Sequence, residues 1–340
     1  MCAQFDKEYA QGKWKIFQKL TWAFNLKHDN ENKESLNTKP SPLAASRLAE
    51  TTEEARPRVP KKRALLIAVT YKGTKYELKG TINDVKTMKA WLIDNFEFKQ
   101  ENILILSENE PDKELNPTRN NIQNSMKWLV GDCQAGVGDS LVFYFSGHGL
   151  RQPDFEDDEI DGFDETICPV DYVESGMILD NEINSTIVRP LPKDVTLHAI
   201  IDACHSGTVL DLPYVYNRET KKWDDNRPPS GVNKNTSGGL AITISACRDD
   251  QMAADTDAFS KEDLKMSGAL THTLTSHVEK GHEITYGDLL DAIYKDIEEA
   301  DQRGCIACRC FRSLCHERLL QKPQLSASEE FDVYQKPFVI

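Results

Sequence analysis

Four short, mostly apolar runs constrain this chain more than any other feature: residues 64–70, 141–145, 195–201 and 240–245. A strand that is apolar at consecutive rather than alternate positions has no polar face to offer water, so it belongs in a sheet covered on both sides. Val69, Val142, Phe143, Tyr144, Phe145 and Ile244 are of the β-branched and aromatic types that fill such strands. Between the runs the period lengthens. Residues 83–96 put Val85, Met88, Trp91 and Leu92 on one helical face, and residues 118–130 do the same with Ile122, Met126 and Leu129. A further strand is expected at 102–107, and the runs at 141–145 and 195–201 extend to Ser146 and Asp202. Helices at 267–280 and 285–300 and a last strand within 331–340 complete the pattern. Strand–helix alternation of this kind predicts an α/β fold, a mostly parallel central sheet flanked by helices on both faces.

Composition narrows the partners. The formal charge over 340 residues is −14, and phosphate binding needs clustered Lys and Arg, so nucleic acid is not an expected partner. No stretch reaches transmembrane length, and the first residues lack the basic-then-apolar layout of a signal peptide, so no membrane partner and a cytoplasmic or nuclear compartment are expected. Nine cysteines, an odd number without a secretory signal, suit reduced thiols. Cys305, Cys308, Cys310 and Cys315 crowd together before His316. A structural zinc site takes two ligand pairs separated by a longer loop; this string has no second pair and reads as a cysteine-containing loop, so zinc is not expected there. The chain divides into an N-terminal extension (1–60), a first half (61–217), a linker rich in charge, Pro, Gly and Asn (218–239) and a second half completing the same domain (240–340). Within the extension, Trp14, Phe17, Leu20, Trp22 and Phe24 suggest a helix, and the polar remainder reads as disordered.

Ser146-Gly147-His148-Gly149 and Asp202-Ala203-Cys204-His205-Ser206-Gly207 follow the third and fourth strands. Chemistry in open α/β sheets gathers at the carboxyl ends of strands, so a thiol and an imidazole share one rim. A thiol attacks an acyl carbon as thiolate and needs a base, for which His148 is the candidate. The flanking glycines leave room for a substrate chain, and the N–H groups of Gly149 and Cys204 are candidate oxyanion donors. His148 would then protonate the leaving amine. Taken alone, a cysteine at a strand end is a small core hydrophobe. His205 is a rival base, but side-chain alternation aims it away from Cys204. Both strings together point to a cysteine peptidase.

Residues 144–149 and 202–208 resemble the paired signatures of the metacaspases. The resemblance extends through Gly80-Thr81-Ile82-Asn83-Asp84, where threonine replaces the usual cysteine, and through Pro169-Val170-Asp171, Ile178-Leu179-Asp180, Ile244-Ser245-Ala246-Cys247 and Pro323-Gln324-Leu325-Ser326. It therefore covers residues 60–340, and the short linker is similar to that of type I members. It implies a caspase-like sheet with large-subunit-like (61–217) and small-subunit-like (240–340) regions, Cys204 as nucleophile and His148 as its partner. It implies cleavage after Arg or Lys in a pocket formed by Asp84, Ser146 and Asp202, where a carboxylate pairs with the basic side chain. It implies activation by calcium at Asp164, Asp180, Asn181 and Asp211, oxygen ligands of the kind a hard cation accepts. It also implies a monomeric proenzyme that cuts itself after Arg218, Lys221, Lys222 or Arg227 in the linker, or near residues 61–63.

Several departures qualify these expectations. Asn181 stands where aspartate is usual and removes one negative charge, which the acidic run 154–161 can restore unless it is merely a solvated loop. The N-terminal zinc finger of many plant type I members is missing, since residues 1–60 contain only Cys2, and the Cys305–His316 string falls where relatives are Gly- and Ser-rich. A rival among enzymes is a relative specific for asparagine or aspartate, of which the aspartate version is disfavoured because Asp84 and Asp202 would repel an acidic side chain. The alternative from another class is a caspase-like scaffold, weak or inactive in catalysis, that acts by binding proteins.

Overall fold

In the computed structural model, residues 59–248, 255–256, 267–278, 283–307 and 322–340 are described. The expected extension up to residue 58, together with Cys308, Cys310, Cys315 and His316, lies outside them. The strands are β1 (Lys62–Ala68), β2 (Ile103–Ser107), β3 (Ser140–Ser146), β4 (Gly149–Pro153), β5 (Phe163–Ile167), β6 (Ile178–Leu179), β7 (Thr196–Asp202), β8 (Tyr214–Asn217), β9 (Lys222–Asp225), β10 (Leu240–Ser245), β11 (Asp255–Thr256), β12 (Ser267–Gly268) and β13 (Gln324–Ala327). The helices are α1 (Thr81–Phe96), α2 (Arg119–Val130), α3 (Tyr172–Ser175), α4 (Asp180–Ile183), α5 (Ala269–His277) and α6 (Tyr286–Ala307).

The apolar runs become the centre of an eight-stranded sheet ordered β2-β1-β3-β7-β10-β13-β8-β9. The first five strands are parallel, and β13, β8 and β9 join antiparallel. Strand alternation splits β1 between two layers. Ala64, Leu66 and Ala68 share a core with Val85, Met88 and Leu92 of α1, Leu270 and Leu274 of α5, and Leu289 and Ile293 of α6. Leu65 and Ile67 are equally buried on the other face. There Arg63 donates to the carbonyls of Trp128 and Gly131 at the end of α2, placing a cation at a helix C-terminus. Thr118 caps the start of α2 by accepting the Asn121 N–H. Burying each large side chain contributes about 1.5–3 kcal/mol, so continuous runs buried on both faces anchor the fold.

This topology positions the site. From β1 the chain moves to β2 on one side and to β3 on the other, and this reversal opens a crevice at the carboxyl ends of β1 and β3. Strands β3 and β7 run in register from Ser140↔Thr196 to Ser146↔Asp202, so the two motif-bearing turns leave the sheet side by side.

The structure differs from the sequence reading, or adds to it, at several places. Residues 331–340 form no strand; Val333, Phe338 and Ile340 are buried without a ladder, Pro337 has no N–H to give one, and β13 takes the place beside β10. The expected linker 218–239 contains β9, which pairs Trp223 with Tyr216 of β8 and widens the sheet. The stretch after β3 forms a second, antiparallel sheet, β4-β5-β6, with strands too short for a periodic signal. Helix α6 runs beyond the expected residue 300 to Ala307 and takes in Cys305. Among the described residues no helix is long and apolar enough to cross a membrane.

Candidate active site and acidic centre

Beyond the last register pair, the Gly147 N–H still donates to the Asp202 carbonyl at 3.4 Å, carrying the strand pairing towards His148 and Cys204. Both residues are buried. Gly149 then passes so close to the nucleophile turn that a Cβ there would lie 2.0 Å from the Cys204 carbonyl oxygen, so only glycine fits. His205 takes a left-handed conformation (φ 47°), which turns the chain away immediately after the thiol.

His148 is fixed by its backbone on two sides and by its ring on a third. Its backbone N–H donates to the Tyr71 hydroxyl at 2.9 Å, its carbonyl accepts from Cys168 N–H at 3.0 Å, and its Nε2 bonds the Tyr76 carbonyl at 2.8 Å. A carbonyl only accepts, so Nε2 carries the proton and Nδ1 of the neutral ring keeps the lone pair a base requires. The Tyr71 hydroxyl in turn donates to the Cys168 carbonyl at 2.6 Å, and burial raises its pKa well above the usual tyrosine value, so it remains a donor. Tyr71 and Tyr76 come from the irregular stretch after β1, where the sequence offers no periodic signal.

The three expected pocket residues meet around β12. Ser146 Oγ donates to Asp84 Oδ2 at 3.1 Å, and the Gly268 N–H reaches both Asp84 carboxylate oxygens at 3.0 and 3.1 Å. Asp202 Oδ2 accepts from the Thr271 N–H at 3.0 Å and hydroxyl at 2.6 Å. A Cβ on Gly268 would lie 2.1 Å from that same Asp202 oxygen, so both carboxylates border one glycine. The donors named here are all neutral N–H and hydroxyl groups.

The expected cation ligands divide between two adjoining groups. Carboxylate oxygens of Glu159, Asp180 and Asp211 lie within 4.8 Å of one another, as do those of Asp154, Asp158 and Asp164. Asn181 links the groups, its Nδ2 donating to Asp158 Oδ1 at 3.4 Å. Burial pushes the Asp164 carboxyl up to about 6, and burial with the neighbouring Asp211 pushes Glu159 up to about 9. Asp180 is also raised well above the carboxylate range, by burial and then by Asp211. Sequence reasoning missed Lys234. Its ammonium contacts Asp211 Oδ2 and Asn181 Oδ1 at 2.6 Å, Asp158 Oδ2 at 2.7 Å and Glu159 Oε1 at 3.1 Å. Burial opposes its charge, but Asp211, Asp158 and Glu159 outweigh burial and raise its pKa. The donor set is all oxygen, as a hard cation needs, and Asp164 Oδ1 is buried without a hydrogen-bond partner among the described residues. The donors therefore fit such a cation, with an ammonium standing among them.

This centre adjoins the nucleophile turn. The Asp211 N–H donates to the Thr208 carbonyl at 2.6 Å, and the Thr208 hydroxyl donates to Glu165 Oε2 at 2.7 Å. Glu165 is anchored in turn, its N–H donating to Asp180 Oδ2 at 2.6 Å.

Comparison with known proteins bears on the family and the fold. A model of the metacaspase, peptidase C14 domain matches residues 62–213. Metacaspase-1 of Arabidopsis thaliana is 46% identical over 293 residues, covering 82% of this chain and 79% of that protein. Metacaspase-2 of the same plant is 45% identical over 305 residues, covering 82% and 72%. Metacaspase-1 of the yeast Meyerozyma guilliermondii is 33% identical over 314 residues, covering 80% and 71%. In fold alone, the crystal structure of protein GSU0716 from Geobacter sulfurreducens is similar at a TM-score of 0.51 and 21% identity, covering 83% of this chain and 99% of that one.

Proposed function

Because the chain belongs to the metacaspases and is a cysteine-type endopeptidase, we propose that Cys204 and His148 cleave proteins after Arg or Lys. In this reading Nδ1 of His148 takes the proton from Cys204 Sγ, and the thiolate attacks the scissile carbonyl carbon. The N–H groups of Gly149 and Cys204 receive the oxyanion, and His148 then protonates the leaving amine. Water attacks the resulting thioester with His148 again as base, releasing the acid and regenerating the thiol. The observation that carries the reading is the Ser146↔Asp202 register, which brings the two turns together with the His148 Nε2 proton committed to Tyr76. Asp84 and Asp202, with Ser146 beside them, supply the charge for a guanidinium or ammonium in the substrate.

The activating cation of this reading is calcium, held by Asp164, Asp180, Asn181 and Asp211 with Asp158 and Glu159 beside them. When bound, it neutralises these carboxylates and stiffens the Thr208–Asp211 turn behind the nucleophile. The enzyme is proposed to act as a monomer in a reducing compartment and to arise from a proenzyme. Self-cleavage is assigned to the linker rather than to residues 61–63, because Lys62 and Arg63 lie inside β1, paired with Ser140 and Leu141 of β3. All four linker candidates are exposed, with Lys221 at the turn between β8 and β9.

Hydrolysis of fluorogenic peptides ending in Arg, Lys, Asp or Asn, in calcium and in chelator, tests the reading. Calcium-dependent cleavage of the Arg and Lys peptides alone is expected, falling at least about a hundredfold in Asp202→Asn. Cleavage of the Asp or Asn peptides would overturn the pocket assignment, and no cleavage of any peptide would favour the scaffold.

A further inference from the structure

An acidic cluster this deep should either keep some of its carboxyls protonated or recruit a cation, and in this chain the cation is covalently attached. Lys234 is only 6% exposed. An ammonium has three protons to give, and the four oxygens around it, at 2.6–3.1 Å, leave none of them without an acceptor. Its backbone is fixed as well, the Lys234 carbonyl accepting from Asn184 Nδ2 at 2.8 Å. The same amide nitrogen reaches the carbonyls of Leu210 and Asp211 at 3.0 and 3.3 Å, tying residue 234 to the strap that leads back to Cys204.

We propose that the Lys234 ammonium is a tethered cation occupying the acidic centre, so that a divalent cation enters only by displacing it and releasing the hold on residues 231–238. The proposal gives Asn181 a physical role. An amide there accepts from the ammonium through Oδ1 while Nδ2 donates to Asp158, and an ionised aspartate can only accept. Asn181 and Lys234 are thus complementary, one removing a negative charge and the other adding a positive one. A tethered ammonium and a divalent cation among the same oxygens would repel strongly, so occupancy is exclusive. An open cleft of about 260 Å³, lined in part by Glu156, Asp158, Asn181 and Lys234, gives a route by which an ion reaches the centre. The exchange rests on the cation site proposed above, and the role of Lys234 in the cation-free protein stands apart from it.

The test compares the full chain with Lys234→Gln, using calorimetric titration with calcium chloride and thermal melting in chelator. Removing the ammonium leaves like charges uncompensated, so the variant should melt several degrees lower in chelator and bind calcium about tenfold more tightly or better. In the unaltered protein, amide hydrogen exchange across residues 231–238 should accelerate at saturating calcium. Equal calcium affinities, or exchange unchanged at saturation, would overturn the displacement while leaving the cation site standing. If neither protein binds calcium, the cation site itself fails and melting alone decides; equal melting in chelator would then remove the tethered cation too. Should Lys234→Gln not fold, Lys234→Gln with Asp158→Asn removes both members of one ion pair and carries the same comparison.

Discussion

The rim that carries His148 and Cys204 and the centre around Lys234 are both buried and polar, yet they are built in opposite ways. The rim is a product of backbone: two parallel strands in register, a glycine where the turns touch, and hydrogen bonds from Tyr71, Tyr76 and Cys168 that fix one imidazole. The acidic centre is a product of side chains delivered by the β4–β5 loop, α4, the turn ending at Asp211 and the segment at Lys234. Strand register holds a geometry that single side-chain changes do not dissolve. A cluster of like charges holds only while its counter-cation is present. The comparison teaches that chemistry needing fixed atoms is placed on strand ends, whereas the centre proposed to exchange cations is assembled from loops and short elements.

The largest effect separates chemistry from structure at the rim. Cys204→Ala should lower peptidase activity at least about a thousandfold, and His148→Ala nearly as much, with melting temperatures close to that of the parent. Loss of the fold in either variant would break the view that the backbone holds the rim. Gly149→Ala tests the backbone directly. Its methyl cannot sit 2.0 Å from the Cys204 carbonyl, so the turns must separate. Activity should fall about a hundredfold and stability by about 1–3 kcal/mol, read by peptide hydrolysis and urea denaturation. Tyr71→Phe leaves the His148 N–H and the Cys168 carbonyl without the bridging hydroxyl. A destabilisation of about 2 kcal/mol, with kcat lowered more than KM is raised, is expected.

His198 offers a control outside both regions, an imidazole buried in the core with Nε2 2.6 Å from the Tyr286 hydroxyl. Burial pushes its pKa down to about 3 from an ordinary 6.5, so the folded state keeps it neutral while the unfolded chain takes up a proton. Its contribution is therefore complete above pH 6.5 and lost as pH falls towards 3, by up to about 1.4 kcal/mol per pH unit. Melting between pH 5 and 7 should show this slope, and His198→Gln should flatten it by one proton.

The same contrast explains what the sequence made legible. Continuous apolar runs specified β1, β3, β7 and β10, and the glycine-flanked strings after two of them placed His148 and Cys204, because these signals are local and backbone geometry converts them directly into position. The inward faces of α1 and α2 were legible for the same reason. Lys234 was not, since it lies 53 residues beyond Asn181 in sequence and no spacing rule joins them. Tyr71 and Tyr76 sit in an aperiodic stretch, and their value lies in a hydroxyl and a carbonyl rather than a pattern. The β8–β9 hairpin escaped because Lys222, Asp224 and Asp225 give its second strand the composition of a linker. Residues 331–340 erred in the other direction, with alternation that reflects buried side chains and no ladder.

The measurement that tests the central claim most directly is labelling of the full chain, in calcium, by a peptidyl electrophile carrying Arg at the position before the reactive carbon, followed by peptide mapping. The account predicts one adduct on Cys204, lost in His148→Ala and blocked by an Arg peptide substrate. Modification of Cys133 instead, which is less buried than Cys168, Cys204 and Cys247, or labelling of Cys204 that ignores His148, would contradict it.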